Sequence, residues 1–99
     1  MDIMIDPERN EVAAFLEFAG NLEDLRVLEI GAGYGRLTWR YASNAGTVVG
    51  IDPDPKRIAR AKKDMSKDLR GRVALLDTTL ENYQHEGPPF DVTLMSWAL

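Results

Sequence analysis

The chain has 99 residues, 44% of them hydrophobic, with 12 basic and 16 acidic side chains and a formal net charge of −4. That balance is too polar for a membrane protein and too apolar for a disordered one, and it gives no general attraction to nucleic acid or anionic lipid beyond a local basic face. Cysteine is absent and His85 is the single histidine, which excludes disulfides, thiolate metal sites and His-rich metal sites, so no metal is assigned.

A chain of this length buries roughly 60 to 70% of its unfolded surface on folding, enough for one modest core. The start, Met1 to Asp6, is acidic and is not followed by an apolar stretch with a cleavage site, and no apolar run approaches bilayer length. The expectation is one cytoplasmic domain that meets no membrane.

Asp6 is a suitable N-cap and Pro7 suits a first helical turn, so the pattern predicts a helix from about Pro7 to Ala19 ending at Gly20. Its residues Val12, Phe15, Leu16 and Ala19 share one face. Arg26 to Ile30 then reads as a buried strand entering the run Gly31, Gly33, Gly35, with a helix from Gly35 to about Asn44 that turns Leu37, Tyr41 and Ala45 toward a core. Thr47 to Ile51 is short, β-branched and apolar on both faces, as a buried parallel strand should be.

A second helix is expected from Asp54 or Pro55 to about Leu69, with Ile58, Ala61, Met65 and Leu69 as its apolar stripe and a solvated basic face of Lys56, Arg57, Arg60, Lys62 and Lys63. Arg72 to Leu76 is the third strand. Asp77 to Gln84 reads as a short irregular helix, Glu86 to Pro89 as a turn, and Phe90 to Leu99 as the fourth strand. Alternation of this kind implies right-handed crossovers and a parallel sheet, hence an α/β domain with helices on both faces.

The strand, glycine loop and helix around Gly31 to Gly35 have the layout of a nucleotide-cofactor site. A dinucleotide fingerprint needs a glycine at the sixth position, where this chain has Arg36. With Glu29 two residues before the first glycine, the run spells E-x-G-x-G-x-G. It closely resembles the first motif of the class I S-adenosylmethionine-dependent methyltransferases.

The resemblance implies a Rossmann-like three-layer sandwich with strand order 3-2-1-4, S-adenosylmethionine as cofactor, and methyl transfer to an acceptor, by default a small molecule. The complete family sheet has seven strands in the order 3-2-1-4-5-7-6. Residues 1–99 therefore read as an S-adenosylmethionine-binding domain incomplete at its C-terminus, with the fourth strand left as an open edge through which the chain self-associates or recruits a partner.

Ligands of open α/β sheets sit beyond the carboxyl ends of the strands. Asp52 ends the second strand, where a carboxylate accepts from ribose hydroxyls; the plainer reading is a cap before Pro53, a job Asp54 can do alone. Pro53 lies against the adenine or simply stiffens the turn. By resemblance Asp77 accepts from the adenine amino group and the Thr78 backbone meets a ring nitrogen, although an Asp after a strand is often only a turn residue.

Glu29, inside the strand, needs a cationic or N–H-rich neighbour, either the ammonium end of the cofactor or the loop amides. Gly31, Gly33 and Gly35 form the cradle. Ser96 and Trp97 fall where the family meets the methionine end and the acceptor, and Tyr34 is a candidate shield for the methyl group. No general base is nominated and His85 is given no role. The nucleic-acid enzymes that methylate base amines usually carry a proline-rich tetrapeptide after the fourth strand, a pattern that Met95 to Leu99 lacks.

Three other readings stand beside this one: a non-catalytic binding or assembly module, a nicotinamide-dependent oxidoreductase, and a polyamine-forming transferase on the same fold.

Overall fold

The computed structural model describes residues 2–5, as backbone, and residues 22–96. The helix expected from Pro7 to Ala19, and Trp97 to Leu99, lie outside the described residues. Within them the chain forms strand β1 (Asp2–Ile5), β2 (Arg26–Ile30), helix α1 (Thr38–Tyr41), β3 (Thr47–Asp52), α2 (Pro55–Asp64), a 3-10 turn (Lys67–Leu69), β4 (Val73–Asp77) and β5 (Val92–Ser96).

All pairings are parallel and the sheet order is β1-β5-β2-β3-β4. The four strands read from the sequence thus stand in the expected order 3-2-1-4. Their neighbour β1 was not expected: it pairs with β5 from Asp2 opposite Thr93 to Ile5 opposite Ser96. The expected open edge on the fourth strand is therefore corrected, because β1 satisfies the backbone groups on that side. Four residues that begin with Asp2 and are followed by Asp6 carry too little periodicity to signal a strand.

Side chains alternate across a strand. One face of the sheet presents Val27, Val48, Val73, Leu75, Val92 and Leu94, all within 6% of complete burial. Against it pack Leu37, Tyr41 and Ala45 around α1, and Ile58, Ala61 and Leu69 from the second crossover. Each aliphatic side chain removed from water in this layer contributes about 1.5 to 3 kcal/mol.

Both helices are shorter than their apolar spacing suggests. At Gly35 the backbone has φ +83°, outside helical space, and helix α1 begins only at Thr38. Its flanks tighten into three-residue turns, with Arg40 donating to Leu37, Asn44 to Tyr41 and Ala45 to Ala42 through the backbone. Helix α2 starts as expected: Asp54 accepts the Lys56 N–H at 2.9 Å and Pro55 occupies the first turn. It stops at Asp64 because Met65 turns extended, at ψ 129°. The following 3-10 turn returns Leu69 to the core, and Arg72 N–H then closes on the Leu69 carbonyl at 2.9 Å to aim the chain into β4.

The stretch after β4 holds a single turn, Tyr83 N–H on the Thr79 carbonyl at 3.0 Å, in place of the expected short helix. His85 fastens this loop: its ring meets the Tyr83 hydroxyl and the Pro88 carbonyl and stacks 4.4 Å from Phe90. Asp91 next binds the backbone of Arg26 through its own N–H and its carboxylate, both at 2.8 Å, setting β5 beside β2.

Candidate cofactor site

Strand β2 runs on to β3 on one side, while β5 joins it from the other, so the order reverses between β2 and β5. The loop Gly31 to Gly35 leaves β2 at that reversal. Gly31 has φ +82°, and a Cβ there would lie 2.4 Å from the Ser96 carbonyl oxygen, so only glycine lets β5 approach. At Gly35 a Cβ would meet the Trp39 indole at 2.6 Å. Sequence reading found the glycines but not these two neighbours that require them.

The loop is held from beneath by β3. The Ile51 carbonyl accepts from both Gly31 and Ala32, at 2.9 and 3.0 Å, and the Ala32 carbonyl accepts from Gly35 at 2.9 Å. Asp52 Oδ2 accepts the Gly33 N–H at 3.0 Å, and its Oδ1 accepts the Asp54 N–H at 2.9 Å. Four loop amides are thus already taken, those of Gly31, Ala32 and Gly33 by β3 and that of Gly35 by the loop itself. A pyrophosphate cradle needs amides pointing outward, so the donor pattern disfavours a dinucleotide here.

Asp52 is 3% exposed. It shapes the loop and the turn beyond it, while Asp54 alone caps α2, as the sequence indicated. A carboxylate offers about four acceptor positions, and the two protein donors leave the others unfilled. Asp52 stands opposite Asp77 in the β3–β4 register, so both acids mark the carboxyl edge. Asp77 and Pro53 are exposed there. The Thr78 N–H, expected to meet a ring nitrogen, donates instead to the Leu76 carbonyl at 3.1 Å.

Glu29 is fully buried, facing α1. Its Oε1 accepts from the Tyr41 hydroxyl at 2.6 Å and the Thr38 hydroxyl at 2.8 Å, and its Oε2 lies 3.0 Å from Ser96 Oγ. The expected cationic or amide-rich neighbour is replaced by three hydroxyls. Burial pushes the Glu29 carboxyl above the usual carboxylate range, against the opposing pull of those hydroxyls. Burial and the adjacent Glu29 hold the Tyr41 phenol well above its ordinary value. Thr38 and Tyr41 were missed as site residues; their i,i+3 spacing on the helix after the loop was the available signal.

Ser96, at the end of β5, also sits 2.8 Å from the Gly31 carbonyl. Tyr34 is half exposed at the loop tip, with the Arg57 guanidinium 5.8 Å from its ring centroid. Arg57 also lies 3.5 Å from Asp54. Among the described residues no cluster of acids and histidine suits a metal ion.

The parallel sheet with its reversal, and an acid-preceded glycine loop that uses its own amides, define a class I Rossmann-like methyltransferase domain. Residues 27–99 match the methyltransferase domain family, and the chain belongs to it. It is 41% identical over 73 residues to a ubiquinone biosynthesis O-methyltransferase of Agrobacterium fabrum, covering 74% of this chain and 29% of that protein. A phosphoethanolamine N-methyltransferase of Arabidopsis thaliana is 30% identical over 92 residues, covering 93% of this chain and 18% of the relative. The chain therefore spans less than a third of either.

Among solved structures, an S-adenosylmethionine-dependent methyltransferase from Thiobacillus denitrificans, in complex with S-adenosyl-L-homocysteine, superposes with a TM-score of 0.70 at 27% identity, over 91% of this chain and 37% of that one. A magnesium protoporphyrin IX methyltransferase from Synechocystis with bound S-adenosylmethionine gives 0.68 at 25% identity, over 87% and 41%.

Proposed function

We propose that this chain binds S-adenosylmethionine at the reversal between β2 and β5 and forms the cofactor-binding part of a methyltransferase acting on a small molecule. The observation that carries the reading is the Asp52 carboxylate, fixed at the carboxyl edge by the Gly33 and Asp54 amides with acceptor positions to spare. The donor set fits an adenosine carrying no phosphate: carboxylates for hydroxyl and amino groups, and a loop in which the amides of Gly31, Ala32, Gly33 and Gly35 are already bonded within the protein.

In this reading Gly31, Gly33 and Gly35 let the ligand lie against the backbone, Asp52 holds the ribose, and Asp77 with the Thr78 backbone and Pro53 borders the base. For Thr78 to meet a ring nitrogen, which accepts, its N–H must leave the Leu76 carbonyl. Glu29 acts from beneath the loop and Ser96 borders the methionine end. Bound, the cofactor supplies a methyl group already activated on a sulfonium, so the protein's task is alignment and exclusion of water. A small acceptor is supported by the two relatives, named for ubiquinone biosynthesis and phosphoethanolamine, and by the acidic net charge.

The test is a titration of the isotopically labelled chain, followed by amide NMR, with S-adenosylmethionine and separately with NAD. Saturable shifts at Gly31 to Gly35, Asp52 and Asp77 with the methyl donor alone are expected. Shifts with NAD alone, or with neither ligand, overturn the proposal.

A further inference from the structure

Ser96 Oγ carries one hydrogen and faces two close acceptors. Glu29 Oε2 is 3.0 Å away and the Gly31 carbonyl 2.8 Å, with the Ile30 carbonyl more distant at 3.4 Å. If Glu29 is ionised, the single hydrogen serves one of the near oxygens, and the other oxygen pair stands at hydrogen-bond distance with nothing between. Such an arrangement is repulsive, and with Glu29 fully buried and Ser96 and Gly31 half-buried an unmet acceptor there is costly. One additional proton removes the conflict.

We infer that Glu29 is a neutral carboxylic acid in the free chain, its Oε2 proton donated to Ser96 Oγ and the Ser96 proton donated in turn to the Gly31 carbonyl. In this chain every near contact has one hydrogen, and Oε1 keeps its two donors, Thr38 and Tyr41. Glu29 and Ser96 are then positioning residues: they fasten the first glycine of the loop to the end of β5 across the switch point. The functional weight of that fastening rests on the cofactor reading above, whereas the proton itself does not.

The groups packed around Glu29 agree with a neutral acid. From α1 come two hydroxyls, from β5 come Ser96 and, in register, Leu94, and β3 places Gly50 alongside. Among the described residues no lysine, arginine or histidine pairs with it. The direction in which burial moves the carboxyl points the same way.

The experiment is infrared difference spectroscopy of the free, full chain at neutral pH, comparing it with Glu29→Gln and Ser96→Ala, alongside calorimetry with S-adenosylhomocysteine. A buried carboxylic-acid carbonyl band is expected, absent in Glu29→Gln and shifted in Ser96→Ala, where its hydrogen-bond acceptor is lost. Glutamine can mimic the neutral acid, so Glu29→Gln should keep its ligand affinity within about threefold, while Glu29→Ala loses about tenfold or more.

No acid band in the wild-type chain overturns the inference, as does a band that Ser96→Ala leaves in place. If Glu29→Gln does not fold, the assignment passes to the wild-type band, which should vanish as the pH is raised, and to its shift in Ser96→Ala. A chain that has the band yet ignores S-adenosylhomocysteine upholds the proton bridge and sinks the cofactor reading, so the two failures are separable.

Discussion

Asp52 Oδ2 and the Gly33 amide are joined by a 3.0 Å hydrogen bond that ties the carboxyl end of β3 to the middle of the glycine loop. Asp52→Ala therefore removes the proposed ribose acceptor and leaves two amides, those of Gly33 and Asp54, without their acceptor. We expect at least about tenfold weaker binding of S-adenosylmethionine and a stability loss of about 1 to 3 kcal/mol. Calorimetry and urea unfolding measure the two; unchanged affinity would remove Asp52 from the site.

Gly31→Ala places a methyl group 2.4 Å from the Ser96 carbonyl oxygen, at φ +82°. The obstacle is backbone and cannot swing aside. Strain of about 1 kcal/mol from the dihedral alone, plus displacement of β5, should lower the melting temperature and abolish ligand binding. A variant that melts and binds like the parent chain contradicts this geometry.

Tyr41→Phe deletes the shortest of the three bonds to Glu29 while keeping the ring in the core. The expected cost is about 1 to 3 kcal/mol, the range for a buried group deprived of its partner. Thermal unfolding checks it, and a neutral result would mean that the remaining hydroxyls satisfy the carboxyl alone.

Because burial raises the Glu29 carboxyl above its unfolded value, the unfolded chain ionises first as pH rises. Between the ordinary carboxylate range and the raised value, the unfolded state binds fewer protons, so stability must fall with increasing pH. The contribution is complete below the ordinary range and is lost through the raised one. Unfolding free energies of wild type and Glu29→Gln, compared across this window, should shift steadily in favour of the glutamine variant. A flat difference, or one of opposite slope, rules out the linkage.

Removing residues 1–5 strips β1 from β5 and exposes the backbone of Thr93 to Ser96 along a sheet edge. Sedimentation should find the shortened chain self-associating at concentrations where the full one does not. Identical behaviour of the two would show that β1 does not protect that edge.

Four of the strands and the glycine loop were legible because β-branched runs and glycine spacing are local signals, whereas the sheet order came from the family resemblance that the glycine loop carries. Asp54 as the cap of α2 was legible for the same reason. What escaped depends on partners distant in sequence. The hydroxyl cage of Glu29 assembles from residues 9, 12 and 67 positions away. Helix α1 shrinks because Gly35 must adopt a positive φ under Trp39, and β1 exists only because β5 has a side to offer. Glu29 announced that it needed partners, but not which ones.

The Ile51 carbonyl, accepting from two successive loop amides, has a consequence for redesign. With four of the loop amides already bonded within the protein, converting the loop to hold a phosphate-bearing cofactor would take more than placing a glycine at Arg36. The amides of Gly31, Ala32, Gly33 and Gly35 would have to be turned outward, and Ile51 and Asp52 would then be left as acceptors with nothing to accept. Cofactor identity in this domain is therefore written into β3 as much as into the loop.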